Sequence, residues 1–438
     1  MLYNNFDKVI YNFHKLLGSG LGIARPELLL GNRNASNINM SILQLSIPNY
    51  YQTMFNSKTE MSYHISGYGQ SNEEAITRVL GETIERYSFM SFYWLFKNQI
   101  KKNSWDKLHA GKKAEVLPFE LINIVDEKNK FFHHLNKSDE VTWVKLKNLC
   151  KNNDVYYPLQ ILCNEDGSKK LYYPSMSTGT ATHVNYENAL INAMTEQLQI
   201  HLFLTAWYGL RKLPVLNWEK SLSSSLDKIF KDTFDFSKVS ITVLDCSLKE
   251  IGFYNYIAFV KNKENKAPYC AFGLQGGFNA EQVLLRAVME ATAIYVNLQG
   301  FYIFKEESVS KLDIKTVLSQ YNLDAPFLYW SNANDLADKE KILDSLSDTV
   351  HKTVFESNPY VTEKEQLHRL MNYYKNTLNY FSVLDITAPE VYKYGYRTVR
   401  CIAPEFVSMN LPAVTYKNHP YFINNGGIQN GNFPHPLP

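Results

Sequence analysis

Three stretches of this chain can be laid over one another: GYGQSNEEAITRVLGETIERYS (67–88), GTATHVNYENALINAMTEQLQIHLF (179–203) and GGFNAEQVLLRAVMEATAIYV (276–296). Each opens on glycine and a polar loop, continues with helical periodicity, and carries a glutamate seven residues after a small apolar residue: Ala75 and Glu82, Ala189 and Glu196, Val283 and Glu290. The copies begin about a hundred residues apart, too far for a stacked solenoid. Three copies of one glycine-loop-helix unit at that distance predict pseudo-equivalent elements arranged around a shared centre.

Helical spacing predicts where the side chains point. Residues 75, 78, 79, 82, 85 and 86 fall at i, i+3, i+4, i+7, i+10 and i+11, so Glu82, Glu85 and Arg86 share a stripe with Ala75 and Val79. The same positions of the second helix are Ala189, Asn192, Ala193, Glu196 and Gln199, and of the third Val283, Arg286, Ala287 and Glu290. Carboxylates on inward faces cost several kcal/mol unless they are paired or bind a cation. Hard oxygen ligands of this kind suit Mg2+, above all with phosphate as co-ligand. Ordinary i,i+4 pairs, Glu82 with Arg78 or Arg86 and Arg286 with Glu290, would explain each helix taken alone. Three helices in register favour a common site.

Fold class follows from the strand-like runs SITVLDCSL (240–248), YNYIAFVK (254–261) and YRTVRCIA (396–403), which alternate with helical stretches: α+β with mixed sheets. No linker composition divides the 438 residues, so one domain is expected over 1–438, with a helical excursion at 308–380 and a proline-rich tail at 426–438. Forty-five Lys+Arg against 43 Asp+Glu leave a formal charge of +2, too little to drive nucleic-acid or anionic-membrane binding. No window approaches a membrane span and no signal peptide opens the chain, so a cytoplasmic protein is expected. Five dispersed cysteines without a CxxC argue against a disulfide framework and a zinc ribbon, and are expected to be reduced and mostly buried. HExxH, GxSxG and a Cys-His arrangement are absent, and His133-His134 reads as strand surface.

At the glutamate helices the sequence resembles the YcaO family across essentially its whole length. The family's first signature looks like Ser66-Gly67-Tyr68-Gly69 followed by Glu82, Glu85 and Arg86; the second like Glu196 and Gln199; the third like Arg286 and Glu290. The segment 383–406 resembles the family's late strand and turn. The resemblance implies a YcaO-like fold with three pseudo-equivalent helices around an ATP/Mg2+ site that has no Walker A loop, and the sequence contains no GxxxxGK[ST]. It implies Glu82, Glu85, Glu196, Gln199 and Glu290 as metal ligands, and Ser66, Gly67, Gly69, Arg78, Glu82, Arg86 and Arg286 around the nucleotide. The backbone of Gly67 to Gly69 would approach the nucleotide closely. Two positions depart from the first signature: its lysine between the glycines is Tyr68, and its serine four residues before the first glutamate is Arg78. Arg78 either replaces the missing charge or pairs with Glu82.

The end GIQNGNFPHPLP places Pro434, Pro436 and Pro438 in a P-x-P-x-P run. Alone, such a tail suits a polyproline II ligand. On a YcaO-like chain it resembles the azoline-forming branch, whose tail enters the active site, which implies Pro438 and its carboxylate as the catalytic base. The implied reaction is ATP-dependent cyclodehydration of Cys, Ser or Thr in a precursor peptide to thiazoline or oxazoline, as in bacteriocin biosynthesis. The implied partners are that precursor, a separate ubiquitin-activating-enzyme-like protein that binds its leader, and a flavin-dependent dehydrogenase where azoles are made; a homodimer is compatible with the same reading. Thioamide or amidine formation, and a non-catalytic scaffold with a degraded nucleotide site, remain as alternatives.

Overall fold

The computed structural model describes residues 5–17, 22–24, 40–50, 52, 64–163, 170–219, 221–233, 237–310 and 312–437. Strands β1 (Ser41–Ser46) and β2 (His64–Gly69) pair antiparallel, and β2 leads into helix α1 (Asn72–Phe96). A four-stranded sheet follows, built from β3 (Ile100–Asn103), β4 (Glu115–Val116), β5 (Val141–Asn148) and β6 (Asn153–Pro158) in the order β3-β5-β6-β4. Strand β7 (Thr180–His183) leads into helix α2 (Tyr186–Gly209). Next come β8 (Leu213–Asn217), β9 (Val239–Asp245), β10 (Tyr254–Asn262) and β11 (Cys270–Gly277), and β11 leads into helix α3 (Ala280–Ser310). After β12 (Ser347–Val354) and helix α4 (Glu363–Thr377), β13 (Ser382–Asp385) and β14 (Arg397–Ile402) complete a three-stranded sheet ordered β13-β14-β7.

The repeated unit is therefore a strand followed by a helix. Its glycines belong to the strands or their ends, which corrects the expected polar loop. Each helix is capped alike: Ser71 accepts from the Glu74 N–H, Asn185 from Asn188 and Asn279 from Gln282. Each cap lies eleven residues before its glutamate, Glu82, Glu196 or Glu290, so the three carboxylates stand at one height, about 16 Å along their helices. The units also lean on one another in a cycle. Helix α1 packs on β2 and β7, α2 on β7 and β11, and α3 on β11 and β2. That closure turns the three inward faces toward one centre.

The segment 308–380 carries the helices Ile314–Leu318, Asp324–Ser331, Leu336–Leu346 and α4, but also β12, which pairs parallel with β8 at the edge of the sheet β11-β10-β9-β8-β12. An edge strand whose residues are mostly exposed, Val350 at 82% among them, has no apolar alternation to reveal it in sequence. His133 and His134 lie in irregular chain rather than a strand, and His134 Nε2 donates to the Val125 carbonyl (2.6 Å). All five cysteines are free; four are buried and Cys150 is half-buried.

The tail is held by the molecule's core. The indoles of Trp330 and Trp207 donate to the carbonyls of Pro434 (3.0 Å) and Phe433 (3.4 Å). Between the prolines, His435 is buried and its Nε2–H donates to the Asn410 carbonyl (2.7 Å). Burial lowers the imidazole pKa to about 4, so it is neutral near pH 7. Leu437 is buried in turn. Pro438 lies outside the described residues.

Candidate active site

The inward faces of α1, α2 and α3 enclose a cleft of about 1340 Å3. Glu82, Glu85, Glu196, Gln199, Arg286 and Glu290 all line it, as do Ser66, Arg78 and Arg86, and Leu437 of the tail lines it as well.

A common hydrogen bond fixes the glutamates. Glu82 accepts from the N–H of Ser66 (3.1 Å), sixteen residues earlier. Glu290 accepts from the N–H of Leu274 (2.7 Å), also sixteen earlier, and Glu196 from the N–H of Gly179 (3.2 Å), seventeen earlier. Gln199 joins the pattern by accepting from the Gly276 N–H (2.7 Å). Each side chain thus secures the edge of a strand with one oxygen. Arg86 lies between two of the carboxylates, 3.4 Å from Glu82 and 3.5 Å from Glu85.

Burial makes ionisation costly throughout the cluster. Burial, which disfavours the ionised form, pushes Glu196 and Glu290 up to about 7 and raises Glu82 and Glu85 above the usual carboxylate range. Neighbouring carboxylates add to the rise at Glu85, where Glu196 and Glu82 both contribute. Arg286 is pushed down first by burial and then by the neighbouring Arg78 guanidinium. Buried carboxylates with raised pKa values beside buried arginines in one cleft suit a ligand carrying both signs, a divalent cation with phosphates.

The i,i+4 expectations are partly corrected. Arg78 pairs with Glu74 (2.5 Å) and lies 4.8 Å from the Tyr68 ring centre, so it is neither free nor a partner of Glu82. Arg286 makes no ion pair among the described residues, although Glu290 is four residues on. Gly67 and Gly69 do not line the cleft, unlike Ser66 and Tyr68 beside them. A Cβ on Gly67 would stand 2.1 Å from the Ala75 carbonyl oxygen and 2.6 Å from the Val79 nitrogen. The glycine lets β2 lie against α1, and Gly273 does the same for β11 against Ala287 and Ala291 of α3.

Spacing did not reveal Arg400 of β14. It is buried without a carboxylate in contact, donates to Thr180 Oγ1 (2.8 Å) and to the Met176 carbonyl (2.9 Å), and lies over the Phe89 ring. Burial lowers its pKa to about 10, which leaves it charged. It underpins the wall formed by residues 176–183, and only its place in the family-like segment 383–406 hinted at it.

A family model described as "YcaO cyclodehydratase, ATP-ad Mg2+-binding" matches residues 66–407, a span that contains all three glutamate units. The chain belongs to the YcaO family. The family is described as one that binds ATP and Mg2+. No curated protein sequence matches it. Among solved structures, a heterocyclase in complex with substrate and cofactor is similar with a TM-score of 0.70 at 14% identity, over 98% of this chain and 56% of that one. This chain therefore spans little more than half the length of that relative. YcaO from Methanopyrus kandleri, bound with AMPPCP and Mg2+, gives a TM-score of 0.62 at 12% identity over 92% of this chain and 91% of that one. The E. coli microcin synthetase McbBCD complex with pro-MccB17 bound gives 0.61 at 15% identity over 93% and 96%. At these identities the likeness is one of fold.

The residues fit the family's cofactors. Glu85, Glu196, Glu290 and Gln199 offer hard oxygen donors, and Arg286, Arg78 and Arg86 offer cationic contacts for phosphate. Among the described residues no group of three or more His, Cys, Asp or Glu side chains is placed to hold an ion by itself. Oxygens from outside the protein would complete the shell, as Mg2+ takes them from phosphates and water.

Proposed function

We propose that this YcaO chain is an azoline-forming cyclodehydratase, which closes Cys, Ser or Thr side chains of a ribosomally made precursor peptide onto the preceding backbone amide. The observation that carries the reading is the seating of Leu437, from the proline-rich tail, in the same cleft as the glutamates and arginines of the three helices. Trp207, Trp330 and His435 hold the tail as far as Leu437, which supports the next residue, Pro438, as the base. The fold relatives named for a heterocyclase and for a microcin synthetase support the same reaction class.

An amide oxygen leaves poorly, and bound Mg·ATP supplies the phosphoryl group that makes it a good leaving group. The chain's own residues orient and neutralise. Arg286, with Arg78 and Arg86, would hold phosphate oxygens, and the carboxylates of Glu82, Glu85, Glu196 and Glu290 with Gln199 would hold the metal. The side-chain oxygen or sulfur of the peptide attacks its carbonyl carbon while its proton passes to the Pro438 carboxylate. Loss of phosphate and of the amide N–H proton then leaves the C=N bond of the azoline. A separate ubiquitin-activating-enzyme-like protein would present the leader, a flavin-dependent dehydrogenase would oxidise the product where azoles are made, and the assembly would work in the cytoplasm.

The test extends the chain by one residue after Pro438, which moves its charge by up to about 3.3–3.6 Å, and separately removes residues 434–438. With partner and precursor present, both variants should bind ATP nearly as before but form heterocycles about a hundredfold more slowly, the scale of a misplaced catalytic group. Cyclisation at the wild-type rate in both variants would overturn the catalytic role of the tail, and a wild-type protein that forms no heterocycle with partner and precursor present would overturn the azoline reading. Sulfur incorporation or amidine formation would favour the other YcaO chemistries, and the absence of any ATP turnover would favour a scaffold.

A further inference from the structure

The wall of the cleft formed by residues 176–183 ends in a strand with one open side. Strand β7 pairs only with β14, and its other edge has no strand partner among the described residues. Hydrogen bonds fix which backbone groups face that edge. Cys401 N–H donates to the Gly179 carbonyl (2.7 Å), and Ile386 N–H donates to the Thr398 carbonyl (2.9 Å). Residues 397, 399 and 401 therefore turn toward β7, and residues 398, 400 and 402 toward β13. Thr182, opposite Thr398, stands at a non-hydrogen-bonded position, so its N–H and C=O point away from β14. Its side chain is already engaged: Oγ1 meets Thr398 Oγ1 at 2.8 Å, and Thr398 Oγ1 donates to Ser88 of α1 (3.2 Å). The cleft is left with backbone, an N–H and a C=O spaced to exchange two hydrogen bonds with one residue of another extended chain.

The ends of this strand point the same way. At Gly179 it reaches Glu196 of the cluster, and Thr178 and Met176 line the cleft together with Leu437. Beyond His183 the chain emerges into solvent with two exposed apolar residues, Val184 at 56% and Tyr186 at 40%. An extended segment laid on this edge would cover apolar side chains at the mouth and place a residue about 10 Å further in, three strand residues from Thr182, beside the glutamates.

We propose that the open edge of β7, centred on Thr182, binds the reacting segment of the peptide substrate as an added strand. It sets the register in which an amide reaches the phosphoryl donor. Recognition is through backbone, so the edge tolerates many side chains while fixing the distance from mouth to centre. This inference rests on the proposed peptide reaction and adds the surface that presents the peptide.

The experiment uses the full chain with its leader-binding partner. Precursor peptides carrying a single N-methyl amide at successive positions beside the cyclised residue are compared with the parent for rate and for KM. One position should lose about tenfold or more in kcat/KM, as loss of a buried backbone hydrogen bond would produce, and its neighbours on either side much less. On the protein side, Thr182→Pro removes the outward N–H and leaves the β14 pairing intact. It should raise KM for the peptide by a similar factor while the dissociation constant for AMPPCP stays within about twofold. Uniform tolerance of N-methylation would overturn the edge while leaving the cyclodehydratase reading intact. A Thr182→Pro effect on AMPPCP binding equal to that on the peptide would also overturn it, because the edge would then serve the nucleotide. If wild-type protein turns over ATP but joins no heterocycle in any peptide, the functional reading and this inference fall together.

Discussion

Arg286 reaches the cleft without an ion pair among the described residues and feels Glu74 only at a distance, whereas Arg78 enters it directly paired with Glu74. A phosphate would therefore gain most from Arg286. Arg286→Ala should raise KM for ATP at least about tenfold, the loss expected for a charge-assisted contact, and Arg78→Ala by distinctly less; steady-state kinetics giving the reverse order would make Arg78 the main phosphate ligand. The carboxylates define a pH dependence. Glu196 and Glu290 hold their protons up to about 7 in the fold but lose them at ordinary carboxylate values when unfolded. Their contribution to stability is thus full at low pH and is lost as pH rises from the ordinary carboxylate range through about 7. The metal-free protein should melt at a lower temperature at pH 8 than at pH 5.5 on this account, and Mg2+ with AMPPCP should release protons on binding at pH 6.5. Calorimetry in two buffers of different ionisation enthalpy measures that release, and none would mean that the glutamates are already ionised. At this scale the sequence was informative where periodicity decides the answer. Glu82, Glu196 and Glu290 share an inward face because helical spacing leaves no other. It was silent on Arg400, whose neighbours Thr180, Ser175 and Ile161 are more than two hundred residues away, and on the choice of Glu74 over Glu82 by Arg78.

Strand and helix in each unit meet so closely that the contact leaves no space for a side chain. Gly67→Ala would drive its Cβ into backbone atoms of α1 at 2.1 and 2.6 Å, which only a shift of β2 can relieve. Differential scanning calorimetry should show destabilisation of roughly 2 kcal/mol or more, typical of overpacking a rigid contact. Gly300→Ala offers the contrast. It lies within α3 with nothing within 4 Å of the added methyl, and should stabilise by about 0.4–1 kcal/mol through the unfolded chain. If both variants melt at the wild-type temperature, the tight strand-helix contact is not a determinant of this fold. The same elements show what a sequence can and cannot reveal. Strands β10 and β14 were legible because their apolar runs are buried, and β9 because its second half is. The glycine runs before α1 and α3 read as loops because a strand that must touch a helix gives up the side chains by which strands are identified. The caps Ser71, Asn185 and Asn279, each eleven residues from a glutamate, were a legible signal that spacing by apolar residues alone did not use.

Over the whole molecule, the decisive fact is that α1 rests on β7, α2 on β11 and α3 on β2, so that each unit is completed by the next. Ligand at the centre should therefore be sensed by all three helices together. Hydrogen exchange with and without Mg2+ and AMPPCP should slow in the turns around Glu82, Glu196 and Glu290 to a similar degree, and protection confined to one helix would show the units to be independent. The tail belongs to this scale too, since Trp207 and Trp330 join it to elements far apart in sequence. His435→Ala should lengthen its excursions and slow heterocycle formation several-fold more than it weakens AMPPCP; equal losses would make His435 a packing residue only. The cyclic closure has a mechanical consequence as well. Three inclined members propped against one another form an arch, and an arch stands or slackens as one piece. Carboxylates that face each other across its crown and lose their protons would push the members apart, so a cation bound among them, as proposed, would act as the keystone. Removing that ion would loosen joints it never touches, and a flaw in any one abutment would be felt at the other two.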